Sequence, residues 1–273
     1  MTPMSYLLAA LKLAPVQCAG WGHPVTTGSD AIDCYFTCAA MEPPDASAHY
    51  VERLVPLPGL GVDYSMPSSE TPAPRGEIAP DATLYACPQS LFKIHPQMDE
   101  LFADIAARDP DAVLVFFEAM GAAVTAQFAR RVESALARRG VAPQGRLRFL
   151  PRTSGSRFRA VLAACDVVLD TVRWSGGNTS LDALAAGTPV VTLPGRFMRA
   201  RQTTAMLRMA GLDELVAVTK DDYVRLVLKL AGDRGHRARL REAIAERRGR
   251  LFDNKEPVTA FAESLLQMAA GKL

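Results

Sequence analysis

Short runs dense in Val, Leu, Ala and Phe recur through the C-terminal two thirds of the chain, at residues 83–87, 112–117, 146–150, 166–170 and 189–193. None alternates strictly between apolar and polar positions, which is the pattern of strands buried on both faces of a parallel sheet. Between and after them lie stretches with helical spacing of apolar residues, at 97–108, 121–139, 156–164, 179–186 and 199–210. Strands alternating with helices predict right-handed βαβ crossovers and a Rossmann-like sheet. Three further helical segments, 221–231, 236–250 and 257–270, close the chain.

The front of the chain reads differently. Residues 31–38 and 53–58 suit two short strands joined by a polar, proline-containing segment. Residues 59–80 carry prolines and little periodic apolar content, so a linker or long surface loop is expected there. Two strands cannot enclose a core, and a unit below about 80 residues ordinarily needs a metal or disulfides. The first part must therefore lean on the second, on another chain or on further sequence. The expected division is 1–77 as a partial N-terminal lobe with its linker, 78–256 as a C-terminal Rossmann-like lobe, and 257–273 as a C-terminal helix.

Composition sharpens this picture mainly by exclusion. The 273 residues are 49% hydrophobic and 22% charged, a globular balance. With 31 Lys and Arg against 29 Asp and Glu, the net charge of +2 gives no footprint for nucleic acid or an anionic membrane. The arginines between residues 234 and 250 are interleaved with Glu242 and Glu246, which suits a solvated helix face. Five cysteines (Cys18, Cys34, Cys38, Cys87 and Cys165) form no C-x-x-C pair, so free thiols in a reducing compartment are expected. The apolar run at 6–11 is preceded by no basic residue, and no run reaches the roughly 20 residues of a membrane span. A cytoplasmic location is expected.

In open α/β sheets, ligands bind outside the carboxyl ends of the strands. The most informative segment after a strand is 170–195, DTVRWSGGNTSLDALAAGTPVVTLPG. A Gly176-Gly177 loop leads into a helix that Asn178 or Thr179 would cap, with Asp182 at the spacing of a capping box. Such a loop brings free N–H groups, hydroxyls and a helix dipole to one point, suited to a phosphate, though the same residues serve for capping alone. Asp182 suits ribose hydroxyls or the cap. Neither a G-x-x-x-x-G-K-[ST] nor a G-x-G-x-x-G motif occurs, which disfavours a P-loop kinase and an ordinary dinucleotide enzyme. Lys93, in CPQSLFKIHP, follows another strand and could meet the same anion or simply be solvated; His95 opens a helix. His23 sits in a glycine-rich turn with Thr26, Thr27 and Ser29, which could face a cleft or be a capped turn. His49 and His236 lie in polar surroundings, and no cluster has metal-ligand spacing.

Taken in order, LAPVQCAGWGHPVTTGSDAIDCYFT, HYVERLVPLP, LFKIHP, FRAVLAACDVVLDT, GGNTSLDALAAGTPVVTLPG and LFDNKE resemble the catalytic region of the O-linked N-acetylglucosamine transferases and the plant Spindly-type enzymes. The resemblance runs from about residue 13 to residue 256. It implies an α/β fold of GT-B type, with a parallel sheet flanked by helices and an incomplete N-terminal lobe. It further implies transfer of an N-acetylglucosamine-like hexose from a UDP-sugar to a protein Ser or Thr hydroxyl, with no metal and no cofactor beyond the donor substrate. By position, Lys93 matches the lysine on the diphosphate. Asn178 and Thr179, after Gly177, match two phosphate-binding threonines, and Asp182 matches the acid on the ribose. The His23 turn matches the one facing the cleft. Phe158 stands where the family has a histidine stacked on uracil, keeping a π face without the polar handle.

In the family the rest of the N-terminal lobe and a tetratricopeptide-repeat array precede this region. A fragment, a lobe supplied by a partner, and a degenerate relative would each account for that, and an apolar patch is expected where that lobe would dock. A non-catalytic nucleotide-sugar-binding scaffold and a GT-B epimerase are the rival functions. The residues name no general base.

Overall fold

The stretch AVLVFF is buried at every position, and it forms the second strand of a parallel sheet whose connections are helices. The computed structural model describes residues 3–68, 71–73 and 81–271. In the larger part, β4 (Thr83–Ala86), α2 (Gln97–Arg108), β5 (Ala112–Phe117), α3 (Ala122–Arg138), β6 (Leu147–Leu150), α4 (Gly155–Ala164), β7 (Val167–Leu169), α5 (Asn178–Ala185) and β8 (Val190–Val191) alternate along the chain. The strand order is β6-β5-β4-β7-β8, with every pairing parallel. This is a doubly wound, Rossmann-like sheet. Its order reverses between β4 and β7, which opens a crevice at their carboxyl ends.

The helices form where apolar residues recur at three and four positions. On α2, Met98, Leu101, Phe102 and Ile105 make the buried stripe. Phe102 and Phe128 meet Phe116 of β5 edge-on, with centroids 5.3 and 5.0 Å away. Then α6 (Gln202–Met209), α7 (Lys220–Gly232) and α8 (Arg234–Arg247) pack below. The arginine-rich α8 is not simply a solvated face. Arg241 donates to the Cys165 carbonyl, Arg247 to Gly211 and Arg248 to Ala185, while Arg237 pairs with Asp166 at 3.2 Å. These guanidiniums reach carbonyls at the ends of α4, α5 and α6, whereas Glu242 and Glu246 stay exposed as expected.

The front part begins with α1 (Pro3–Ala10), followed by β1 (Cys18–Gly20), β2 (Cys34–Cys38) and β3 (Arg53–Leu57), which form a second parallel sheet in that order. Both faces of β2 are covered. Tyr35 and Cys38 share one continuous core with Trp21, Met41, Leu60 and the larger sheet. Cys34 and Phe36 face the other way, against Met268 of α9 (Glu256–Ala269), and the Phe36 and Phe261 rings meet edge-on at 4.6 Å. The front part thus leans on the second and on the final helix. The connection is strapped down where it is described: Tyr64 O accepts from Asp253 N–H at 2.7 Å, and Ala160 O accepts from Ala73 N–H at 2.8 Å. The remainder of the expected linker, 69–70 and 74–80, lies outside the described residues.

In contrast, α1 buries nothing. Met4, Leu7, Leu11 and Leu13 are 62–70% exposed, an apolar patch at the front of the chain. No disulfide joins any of the five cysteines. Among the described residues no helix is long and apolar enough to cross a membrane.

Candidate functional site

The loops that leave β4 and β7 flank the switch point, and a buried carboxylate organises the second of them. Asp170 directly follows β7 and accepts from Ser175 Oγ at 2.8 Å, the Gly176 N–H at 2.7 Å and Thr192 Oγ1 at 2.6 Å. Burial pushes its pKa up, and these hydrogen bonds pull it back. Ser175 is gripped again by Thr203, and its N–H donates to Arg199 O at 2.7 Å. Gly176 is needed for close approach: a Cβ there would lie 2.3 Å from Ser180 Oγ and 2.7 Å from Thr179 Oγ1.

The helix opens one residue earlier than the sequence suggests, which removes the expected capping box. Gly177 is the N-cap of α5, Asn178 and Thr179 are its first helical residues, and no side chain caps it. The cause is the Gly177 backbone (φ −98°, ψ −96°), which places the turn before both polar side chains. Asp182 therefore does not reach back to the cap; it faces Arg159 at 3.5 Å. The N–H groups of Gly177, Asn178 and Thr179 have no backbone acceptor among the described residues. Three unsatisfied donors at the positive end of a helix make an anion site.

Beside them opens a cleft of about 430 Å³, walled by the loops after β4, β5 and β6 and floored by Phe158, Thr179 and Asp182. Phe158 lies against Phe117 with centroids 4.8 Å apart. Burial raises the pKa of Asp182, opposed by the Arg159 charge. Asn178 Oδ1 accepts from the Tyr64 hydroxyl at 2.7 Å, which commits the amide oxygen and leaves its NH₂ as donor. Tyr64 was not among the sequence candidates, and an aromatic in a proline-rich stretch carries no signal that would find it.

Lys93 and His23 come together just outside this cleft, on an indole. Lys93 Nζ lies 5.0 Å from the Trp174 ring centre and 5.9 Å from that of Phe92. Among the described residues no carboxylate pairs with it, and burial lowers its pKa. The His23 ring is 6.5 Å from Trp174. Burial and, after it, the nearby Lys93 charge lower its pKa. Trp174 was also missed; its place within the loop after β7 was the available signal. His95 opens α2 as expected, accepting from the Gln97 N–H at 3.2 Å. His49 departs from its expected polar setting: it packs edge-on against Phe197 at 4.8 Å and lies 3.4 Å from Asp45. Among the described residues no group of three His, Cys, Asp or Glu could hold a metal.

The sequence profile of glycosyl transferase family 41 matches residues 71–261. The "Probable UDP-N-acetylglucosamine--peptide N-acetylglucosaminyltransferase SPINDLY" of Solanum lycopersicum is 30% identical over 245 residues, 87% of this chain and 25% of that protein. The "Probable UDP-N-acetylglucosamine--peptide N-acetylglucosaminyltransferase SEC" of Arabidopsis thaliana is 29% identical over 236 residues, 81% of this chain and 23% of that protein. Among solved structures, an O-GlcNAc transferase mutant from Thermobaculum terrenum superposes with a TM-score of 0.79 at 33% identity, over 93% of this chain and 48% of that one. The glycosyltransferase WaaG shares the fold at 16% identity, with a TM-score of 0.58 over 87% of this chain and 63% of its own. The chain thus spans about a quarter of the curated relatives' length. Its fold is the α/β, GT-B-type arrangement expected from the sequence.

Proposed function

The chain belongs to glycosyl transferase family 41, and from that premise we propose that it moves an N-acetylglucosamine-like hexose from a UDP-sugar to a Ser or Thr hydroxyl of a protein. One observation carries this reading: at the switch point an ammonium on the loop after β4, with no carboxylate partner among the described residues, rests on Trp174 of the loop after β7, the loop that runs into three N–H donors with no backbone acceptor. That is a site short of negative charge, and a diphosphate supplies it.

In this reading the nucleoside fills the 430 Å³ cleft with its base toward Phe158 and its ribose on Asp182. The diphosphate then lies over the start of α5. The acceptor oxygen attacks the anomeric carbon as the bond from that carbon to the phosphate oxygen breaks, and UDP departs with the bonding pair. Lys93 and the N–H groups at Gly177, Asn178 and Thr179 meet the charge growing on the leaving group, fixed in place before reaction. The NH₂ of Asn178 adds a donor. The reaction so drawn uses the donor as substrate and calls on no cofactor. We assign no base for the acceptor proton.

The same reading places an N-terminal lobe or repeat domain against the apolar α1, a patch of the kind that marks protein contacts. A cytoplasmic setting agrees with five cysteines that form no disulfide.

Isothermal titration with UDP tests the site, with GDP as comparator and Lys93→Ala and Asp182→Ala as controls. UDP binding that both substitutions weaken by about 10- to 100-fold is expected, the loss of a hydrogen bond to a charged group. A folded chain that binds neither nucleotide would overturn the proposal.

A further inference from the structure

We infer that the indole of Trp174 is the platform on which the transferred sugar lies, and that it sets how strongly the sugar part of the donor is held. The inference rests on the nucleotide-sugar reading of the cleft. Direction comes first. Thr179, at the start of α5, lines the cleft with Phe158 and Asp182, whereas Lys93, Trp174 and His23 cluster outside that lining. A nucleoside seated with its diphosphate at the start of α5 must send whatever hangs from the second phosphate out of the cleft. The group that flanks Lys93 there is an aromatic ring.

That ring is held as part of a built surface. Trp174 O accepts from Thr171 Oγ1 at 2.6 Å and from Gln89 Nε2 at 3.3 Å, which ties it to both loops of the switch point. The following N–H, at Ser175, is bonded to Arg199. The preceding residue, Arg173, has φ +73°, a left-handed backbone that a non-glycine residue adopts at a cost and that surrounding structure must enforce. The backbone that carries this half-buried indole is thus fixed on both sides, so the ring projects from a loop set ahead of its ligand.

The chemistry fits a pyranose. The indole face carries the negative part of the ring quadrupole, which is why the Lys93 ammonium rests near it. The C–H groups on one face of a hexopyranose are weakly positive and apolar, and they match such a face over most of its area. When the diphosphate arrives, the ammonium has a stronger partner to turn toward, and the indole is left to the sugar.

The 273-residue chain, unsubstituted and as Trp174→Phe and Trp174→Ala, is titrated with UDP, UDP-glucose and UDP-N-acetylglucosamine. A platform predicts that Trp174→Ala weakens both UDP-sugars by about tenfold or more while UDP changes by less than about threefold, and that Trp174→Phe recovers most of the loss. The buried Trp21 serves as the fluorescence report that the fold is kept. Equal weakening of UDP and the UDP-sugars would overturn the inference and reduce the indole to a support for Lys93. Unchanged donor affinity with a raised acceptor KM would overturn it in favour of an acceptor contact. Absence of UDP binding by the unsubstituted chain is a separate result, which removes the parent reading and the platform with it.

Discussion

Lys93 and Asp182 are both moved by burial, in opposite senses, and in the proposed site together they would bound the pH range in which a donor is held. The pKa of Lys93 lies below its usual 10.5, so the cation proposed to face the diphosphate is lost earlier than usual as pH rises. The pKa of Asp182 lies above its usual 3.8, so the carboxylate proposed to meet the ribose is lost earlier as pH falls. UDP-sugar affinity measured across pH is therefore expected to form a bell, its acid limb abolished by Asp182→Asn and its alkaline limb by Lys93→Met. A profile whose limbs survive those substitutions would assign the titrations elsewhere. At the same scale, Tyr64→Phe removes one hydrogen bond to Asn178. It should weaken UDP by about 3- to 10-fold, the worth of a neutral hydrogen bond.

The start of α5 is an element whose value lies in what it lacks: no side chain caps it, and its glycine approaches its own first turn too closely for any other residue. Gly176→Ala would press a methyl on Thr179 and Ser180. It is expected to lower stability by about 1–3 kcal/mol, as overpacking does, and to weaken UDP more than that alone explains. Thermal melts and titration of the same sample check both. Elements such as α2 and β5 were legible because each is long and periodic, and α2 occupies the very residues its spacing predicts. The three residues of β1 are too few to show a period, and the expected strand at 31–38 starts only at Cys34, after a turn closed by the Ile32 N–H on Ser29 O. The surroundings of the cleft were legible where motif and loop coincide, since Gly177 and Asn178 open α5 and Thr179 and Asp182 line the cleft. They were not legible where partners meet from afar, as Tyr64 and Asn178 do across 114 positions. The helix start was misread because Ser, Thr, Asn and Asp promise caps by type, whereas a glycine backbone decides where the turn falls.

Taken whole, the molecule has one principal core shared by two sheets, since Trp21, Tyr35, Met41 and Leu60 pack with the larger sheet's strands and helices. Heating is accordingly expected to give a single calorimetric transition with equal calorimetric and van't Hoff enthalpies. Two separated transitions would show that the parts hold themselves together independently. The apolar α1 predicts that the folded chain binds a hydrophobic dye or self-associates, and a monomer without dye binding would remove that surface from consideration.

The packing of Cys18 against Met268, 250 positions later in the chain, has a bearing on biosynthesis. A ribosome delivers β1, β2 and β3 long before α9, so one side of the first sheet waits uncovered through most of translation, with Cys34, Phe36, Val55 and Leu57 open to passing surfaces. The larger sheet can assemble while the chain is still being made, but the smaller one is sealed only by a late, long-range closure of the slow kind. The nascent chain thus has reason to engage a holding chaperone until α9 emerges, and stalling translation before residue 256 should lengthen that engagement.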